Sequence, residues 1–239
     1  MTSAADLASL AALLADETRA AICLALLDGR AWTAGELAAH ARVAPSTATA
    51  HLHRLVNGGL LVERRQGRHR YVQLADPTVA QLIEDLAGRL TRRPDPPRGL
   101  RAVTASEALR RGRTCYDHLA GRLGVAVTDA MTGAGLLDVS GGFALTASGR
   151  AWLTGPVEIR AEQLRPGGRP LVRGCLDWTE RRQHLAGRAG AALCTAFLDR
   201  GWVVRIGSGR AVRLTSSGEA ALRDLLGITD LVASAPGRP

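Results

Sequence analysis

Apolar residues in the first third of the chain recur with helical spacing, broken at intervals by glycine and proline. Ala48, Leu52 and Leu55 stand at i, i+4 and i+7 behind Pro45, one stripe of an amphipathic helix. Pro45 has a fixed φ and no N–H, which suits a first helical position, and Gly58-Gly59 ends the run. The opposite face carries Ser46, Thr47, Thr49, His53, Arg54 and Asn57, with no acidic residue among them. From Leu60 the spacing changes. Leu60-Leu61-Val62 starts a strand, Glu63 to Arg70 fits a basic hairpin turning at Gly67, and Tyr71 to Leu74 return as a second strand. Upstream, Asp16 caps a helix from Glu17 to Leu27, and Thr33 with Glu36 has capping-box spacing for a helix from Ala34 to Ala41. The order predicts a winged helix-turn-helix: a helix sized for the major groove beside a two-stranded wing within reach of phosphates.

Beyond this region the pattern gives way to a Pro/Arg-rich stretch, Thr91 to Gly99, read as a stiff linker spanning 91–101. The chain then repeats itself. His118-Leu119-Ala120-Gly121-Arg122-Leu123-Gly124 recurs as His184-Leu185-Ala186-Gly187-Arg188-Ala189-Gly190, and Leu145-Thr146-Ala147-Ser148-Gly149 as Leu214-Thr215-Ser216-Ser217-Gly218. Upstream, Arg113-Thr114-Cys115-Tyr116-Asp117 matches Arg173-Gly174-Cys175-Leu176-Asp177, but six extra residues, Trp178 to Gln183, precede the second histidine. Each copy reads as helix, helix ending in glycine, two short strands, and a helix capped by Thr146 or Thr215. Duplicated units are expected to pack about a pseudo-twofold axis. The predicted fold is mainly α with small β-wings (α+β). It comprises a winged helix-turn-helix domain at 1–90, two tandem winged-helix-like repeats at 102–159 and 160–232, and a disordered tail at 233–239.

Composition adjusts this picture modestly. The 239 residues carry a formal net charge of +9 and a pI near 10.9, which favours a polyanionic partner. No signal segment and no membrane-spanning run is recognisable, so a cytoplasmic location without membrane association is expected. Four cysteines without a CxxC pair suit a reducing compartment.

With Leu14 to Arg19, Gly35-Glu36-Leu37-Ala38, Ser46 to Leu52, Gly59-Leu60-Leu61 and Gly67 to Tyr71, residues 5 to 90 resemble the ArsR/SmtB family of bacterial repressors. Ala44 departs from the polar cap usual before the proline. The resemblance implies a homodimer paired through helices near Ala4 to Leu14 and Pro77 to Leu90. It also implies an inverted-repeat operator in double-stranded DNA, with half-sites about one helical turn apart or a multiple of it. Ser46, Thr47, Thr49, His53 and Arg54 are the expected contacts to base edges and flanking backbone. Arg64, Arg65, Arg68, His69 and Arg70 are the expected wing contacts.

The copies lack so dense a basic face and are read as a regulatory module. Cys115, Asp117 and His118 in one copy, with Cys175, Asp177 and His184 in the other, put the same three ligand types at matching positions. If the two starts face each other, Cys115, His118, Cys175 and His184 could hold a thiophilic metal ion. The alternative is that these cysteines and histidines are ordinary core residues. Family-type metal sites are missing here: Glu36 to His40 has no cysteine, and Asp76 to Leu90 no histidine. An organic effector is the competing idea, with Tyr116, Trp178 and Trp202 as walls beside the histidines and aspartates. A thiol redox signal, needing exposed cysteine, is the third. Cys23 and Cys194 fall in apolar helical patterns and are expected in the core. Without oxyanion element, cofactor loop or paired carboxylates, no enzyme is indicated. The reading is a dimeric repressor released by an effector; the alternative is a nonspecific architectural DNA-binding protein, separable by its specificity ratio.

Overall fold

The computed structural model describes residues 3–66, 69–89, 100–207, 209–229 and 231. Arg68, the side chain of His69, nearly all of the linker and the proposed tail lie outside the described residues. The chain divides into two compact units, residues 1–83 and 84–239.

In the first unit, α1 (Ala4–Leu14) precedes α2 (Glu17–Leu26). Asp16 caps α2 by accepting from the Arg19 amide at 2.9 Å. The Arg19 side chain turns back to donate to the carbonyls of Leu13 and Ala12 at 2.6 and 2.8 Å, satisfying the open end of α1. β1 (Trp32–Thr33) leads into α3 (Ala34–Ala41) through a complete capping box. Thr33 Oγ1 accepts from the Glu36 amide at 3.3 Å, and the Glu36 carboxylate accepts from the Thr33 amide at 2.7 Å. Thr33→Ala should therefore cost about 1 kcal/mol, seen as a lower urea midpoint for this unit. Thr33→Ser should keep most of that stability.

Next comes α4 (Pro45–Asn57), with Pro45 in its first turn and no side-chain cap from Ala44. Ala48, Leu52 and Leu55 are buried in a core with Ile22, Cys23, Leu26 and Leu37. β2 (Leu61–Gln66) and β3 (His69–Leu74) pair antiparallel from Leu61↔Leu74 to Gln66↔His69, and β1 joins β3 to give the order β1-β3-β2. α5 (Pro77–Gly88) follows, its residues from Glu84 onward belonging to the second unit. The helix-turn-helix and wing thus stand where the hydrophobic pattern places them.

The second unit opens on α6 (Leu100–Arg111). Its first copy runs β4 (Arg113–Cys115), β5 (His118–Ala120), α7 (Gly121–Gly133), β6 (Leu137–Asp138), β7 (Ala144–Leu145) and α8 (Ala147–Thr154). After a short 3-10 turn at Ala161–Leu164, the second runs β8 (Arg173–Leu176), β9 (Gln183–Ala186), α9 (Gly187–Asp199), β10 (Val203–Arg205), β11 (Val212–Leu214) and α10 (Ser216–Leu226). Thr146 and Thr215 cap α8 and α10 as expected. One expectation needs correction: the pattern read from the sequence lacks the hairpins β4–β5 and β8–β9, whose second strands carry His118 and His184. These strands of three or four residues are largely buried, so they show none of the polar–apolar alternation that reveals a half-exposed strand.

Both copies contribute to one core, with Leu119, Leu123, Val127 and Leu153 from the first and Leu185, Leu193, Phe197 and Leu222 from the second. The packing is reciprocal: β5 lies against α9 and β9 against α7. The second glycine of the repeated motif, in the first turn of α7 and of α9, permits this approach. A Cβ on Gly124 would stand 2.3 Å from the Leu119 carbonyl oxygen and 3.7 Å from His184 Cβ; on Gly190 it would stand 2.6 Å from the Leu185 oxygen and 3.3 Å from His118 Cβ.

Candidate functional sites: a polar helix face with its wing, and a buried Cys/His centre

Burying Ala48, Leu52 and Leu55 turns the other face of α4 outward. Ser46, Thr47, His53, Arg54 and Asn57 are exposed, and Thr49 is half-buried with its hydroxyl donating to the Pro45 carbonyl at 2.9 Å. The first turn carries no acidic side chain, so the positive end of the helix dipole faces outward unopposed. On the wing, Arg64, Arg65 and Arg70 are exposed. Arg70 pairs with Glu63, leaving Arg64 and Arg65, among the described wing arginines, as those best placed for an outside anion.

In the second unit, cross-strand register does the work that spacing in the sequence could not reveal. Cys115 lies directly opposite His118 in β4–β5, and Cys175 directly opposite His184 in β8–β9. Opposed residues of an antiparallel pair project from the same face, so each hairpin presents one thiol and one imidazole together. The reciprocal packing brings the two pairs into one cluster, whose four ligand atoms all lie within 4.8 Å of one another. All four residues are buried, and the imidazole centroids are 5.1 Å apart.

The surrounding groups repeat the same symmetry. Asp117 Oδ1 stands 3.2 Å from His118 Nδ1, and Asp177 Oδ2 stands 3.6 Å from His184 Nδ1. An arginine holds each carboxylate: Arg169 on Asp117, and the fully buried Arg113 on Asp177 at 2.8 Å. The insert completes the second arrangement. Thr179 Oγ1 accepts from Arg113 at 3.2 Å, and the Trp178 ring lies 4.7 Å from its guanidinium carbon.

Among the described residues, His118 Nε2 and both ring nitrogens of His184 find no hydrogen-bond partner. Each such orphan costs about 1–3 kcal/mol when no ion or proton satisfies it. Burial works against protonating His118, but Asp117 and Cys175 raise it to about 9. Burial pushes His184 down. Cys115 donates to Cys175, which raises the first thiol and, with both imidazoles, lowers the second. Glu84 Oε2 lies 3.8 Å from Cys175 Sγ, and burial raises this carboxyl to about 7. The arrangement offers two sulfur and two nitrogen donors in a space sized for an ion.

Of the residues singled out for an effector, Cys115, His118, Cys175, Asp177 and His184 are buried together, while Tyr116, Asp117 and Trp178 are half-buried at the hairpin turns. Trp202 is elsewhere, edge-on to Phe197 with centroids 5.0 Å apart, so the three proposed aromatic walls do not converge. Cys115 and Cys175 lack the exposure that a thiol redox signal requires. Cys23 and Cys194 are core thiols that burial pushes to about 12. Sequence reasoning missed Glu84, Arg113 and Arg169. The recurrence of arginine two residues before each cysteine, Arg113 and Arg173, was the available signal for one of them.

A family model described as a helix-turn-helix domain matches residues 14–64. The chain is 38% identical over 224 residues to the HTH-type transcriptional regulator YdfF of Bacillus subtilis (strain 168), covering 93% of this chain and 98% of that protein. It is 41% identical over 80 residues to the HTH-type transcriptional regulator CmtR of Mycobacterium bovis, covering 34% of this chain and 67% of that protein. Among solved structures, the NMR structure of the cadmium metal-sensor CMTR from Mycobacterium tuberculosis is 37% identical, with a TM-score of 0.31 over 39% of this chain and 97% of that one. Among the described residues no helix is long and apolar enough to cross a membrane.

Proposed function

The chain belongs to the HTH-type transcriptional regulators, and from that premise we propose that it acts in the cytoplasm as a homodimeric repressor of the ArsR type whose duplicated unit receives the releasing signal. DNA binding through a helix-turn-helix is the family's activity; operator form, dimerisation, sign of regulation and signal are the proposal.

The exposed polar face of α4 beside the exposed Arg64 and Arg65 is the observation that carries the reading. Ser46, Thr47, Thr49, His53 and Arg54 read base edges and flanking backbone, and the wing holds phosphates. Homodimerisation is supported by α1. Its sequence is apolar, yet none of its residues is fully buried within the single chain, and Leu7 is 64% exposed. A second copy laid on this helix would cover that surface and set two recognition helices to an inverted repeat.

The signal is a thiophilic metal ion taken up at Cys115, His118, Cys175 and His184. Such an ion acts on DNA binding only by favouring one of two states of the protein. The test is a titration of DNA from the chain's own promoter and of random DNA at one salt concentration, with zinc added or chelated. A promoter preference of about a thousandfold or more, weakened by zinc, is the expected result. Equal affinity for both DNAs would instead assign nonspecific architectural binding, and promoter affinity indifferent to metal would remove the ion as signal.

A further inference from the structure

We infer that Cys115, His118, Cys175 and His184 form a closed four-coordinate site for a divalent ion of the zinc class, which straps the two repeats together. This deepens the reading above, on which it rests for the presence of a metal, by assigning the ion's chemistry, geometry and structural role.

The donor set argues for the ion. Two thiolates and two imidazoles are the soft-to-borderline mixture that selects a tetrahedral d10 divalent ion over hard, oxygen-seeking cations. Zn–S and Zn–N bonds of about 2.3 and 2.0 Å put tetrahedral donors about 3.3–3.8 Å apart, and the four ligand atoms here all lie within 4.8 Å of one another. Only a small contraction separates the two. Charge agrees as well, since two thiolates neutralise one divalent ion in surroundings too buried to tolerate net charge.

Orientation argues for the site being built. Asp117 Oδ1 engages His118 Nδ1 at 3.2 Å, leaving that ring's Nε2 for the ion, and Asp177 Oδ2 stands on the Nδ1 side of His184 at 3.6 Å, just beyond hydrogen-bond distance. A carboxylate behind a ligating imidazole is the usual support of such a centre. Both Nε2 atoms are buried without a hydrogen-bond partner among the described residues. Protein supplies all four positions, so no open coordination site remains, which marks a structural or regulatory centre and not a catalytic one.

Geometry also says what the ion joins. Each hairpin contributes one sulfur and one nitrogen, so neither copy completes the centre alone. Occupancy links β4–β5 to β8–β9 and makes metal affinity part of the unit's folding free energy.

The test is cobalt(II) added to the full-length chain after chelation, followed by visible absorption, with circular dichroism for folding. Expected are intense tetrahedral d–d bands with a sulfur-to-cobalt charge-transfer band, saturating at one ion per chain and abolished by equimolar zinc. Zinc should also raise the thermal midpoint of the second unit. Cys115→Ser should weaken the charge-transfer band; should it fail to fold, His184→Cys serves instead and should strengthen that band. A weak octahedral spectrum, no charge transfer in the folded wild type, or bands unchanged in both variants would overturn the assignment. Should this spectrum appear while promoter affinity ignores zinc, the site stands and the effector reading falls. Should promoter affinity respond to zinc without this spectrum, the effector reading survives and the site assignment does not.

Discussion

Replacing Arg113 with methionine should lower the unfolding free energy of the second unit by about 3–5 kcal/mol, the usual cost of stranding one charge of a buried pair. Arg113 and Asp177 are both 0% exposed and 2.8 Å apart. Arg113 also donates to the Leu109 carbonyl at 3.0 Å, and Asp177 accepts from the Gly121 amide at 2.7 Å. The methionine fills much of the arginine's apolar stem but leaves the carboxylate without its counter-ion. Burial opposes the ionised Asp177, and Arg113 is the first of the groups that overcome it, holding this carboxyl well below the usual range. The double variant Arg113→Met with Asp177→Asn should recover part of the loss, because the amide carries no charge and its oxygen still accepts from Thr179 and Glu180, while its NH2 meets the Gly121 N–H as a second donor. Urea denaturation followed by circular dichroism measures the loss. A single substitution costing under about 1 kcal/mol would mean that the pair is solvated in solution.

The second large effect is on DNA. Arg64→Ala with Arg65→Ala removes two exposed cations per wing. Each lost phosphate contact flattens the plot of log affinity against log salt by about 0.9, so a dimer with two wings should lose between about three and four units of slope. The wild type's additional sensitivity between about 50 and 200 mM salt would then be on the order of a hundredfold. Promoter and random DNA should weaken alike, because phosphate contacts carry no sequence information. A change of about two units would place only half of these four arginines on phosphates, and an unchanged slope would remove the wing from the contact list. Substituting Arg70 should matter less, since its guanidinium is already paired with Glu63.

Particular residues show where sequence reasoning succeeded. The Thr33–Glu36 capping box, Pro45 in the first turn of α4, the end of α4 before Gly58-Gly59 and the wing from Leu61 to Leu74 all lie where they are expected. The hairpins β4–β5 and β8–β9 escaped it, since burial had removed their alternation. Glu84 was equally hidden, an acidic residue on a helix that reads as amphipathic and yet one that is 5% exposed beside Cys175. The insert Trp178 to Gln183 reads in the sequence only as a break in the repeat; the structure sets its Trp178 and Thr179 against Arg113.

The sequence by itself determined α4 with its first-turn proline and its glycine stop, the wing, the duplication, and the matched Cys, Asp and His of the two copies. Such features are written in short windows, through periodicity, capping bonds and turn residues acting on near neighbours. Only the tertiary structure decided that Cys115 and His118 meet Cys175 and His184, and that Arg113 and Arg169 secure the aspartates behind the imidazoles. Those partners stand about sixty residues apart. They are brought together because each duplicated hairpin buries itself against the other copy's helix, a match of surfaces that no local pattern encodes.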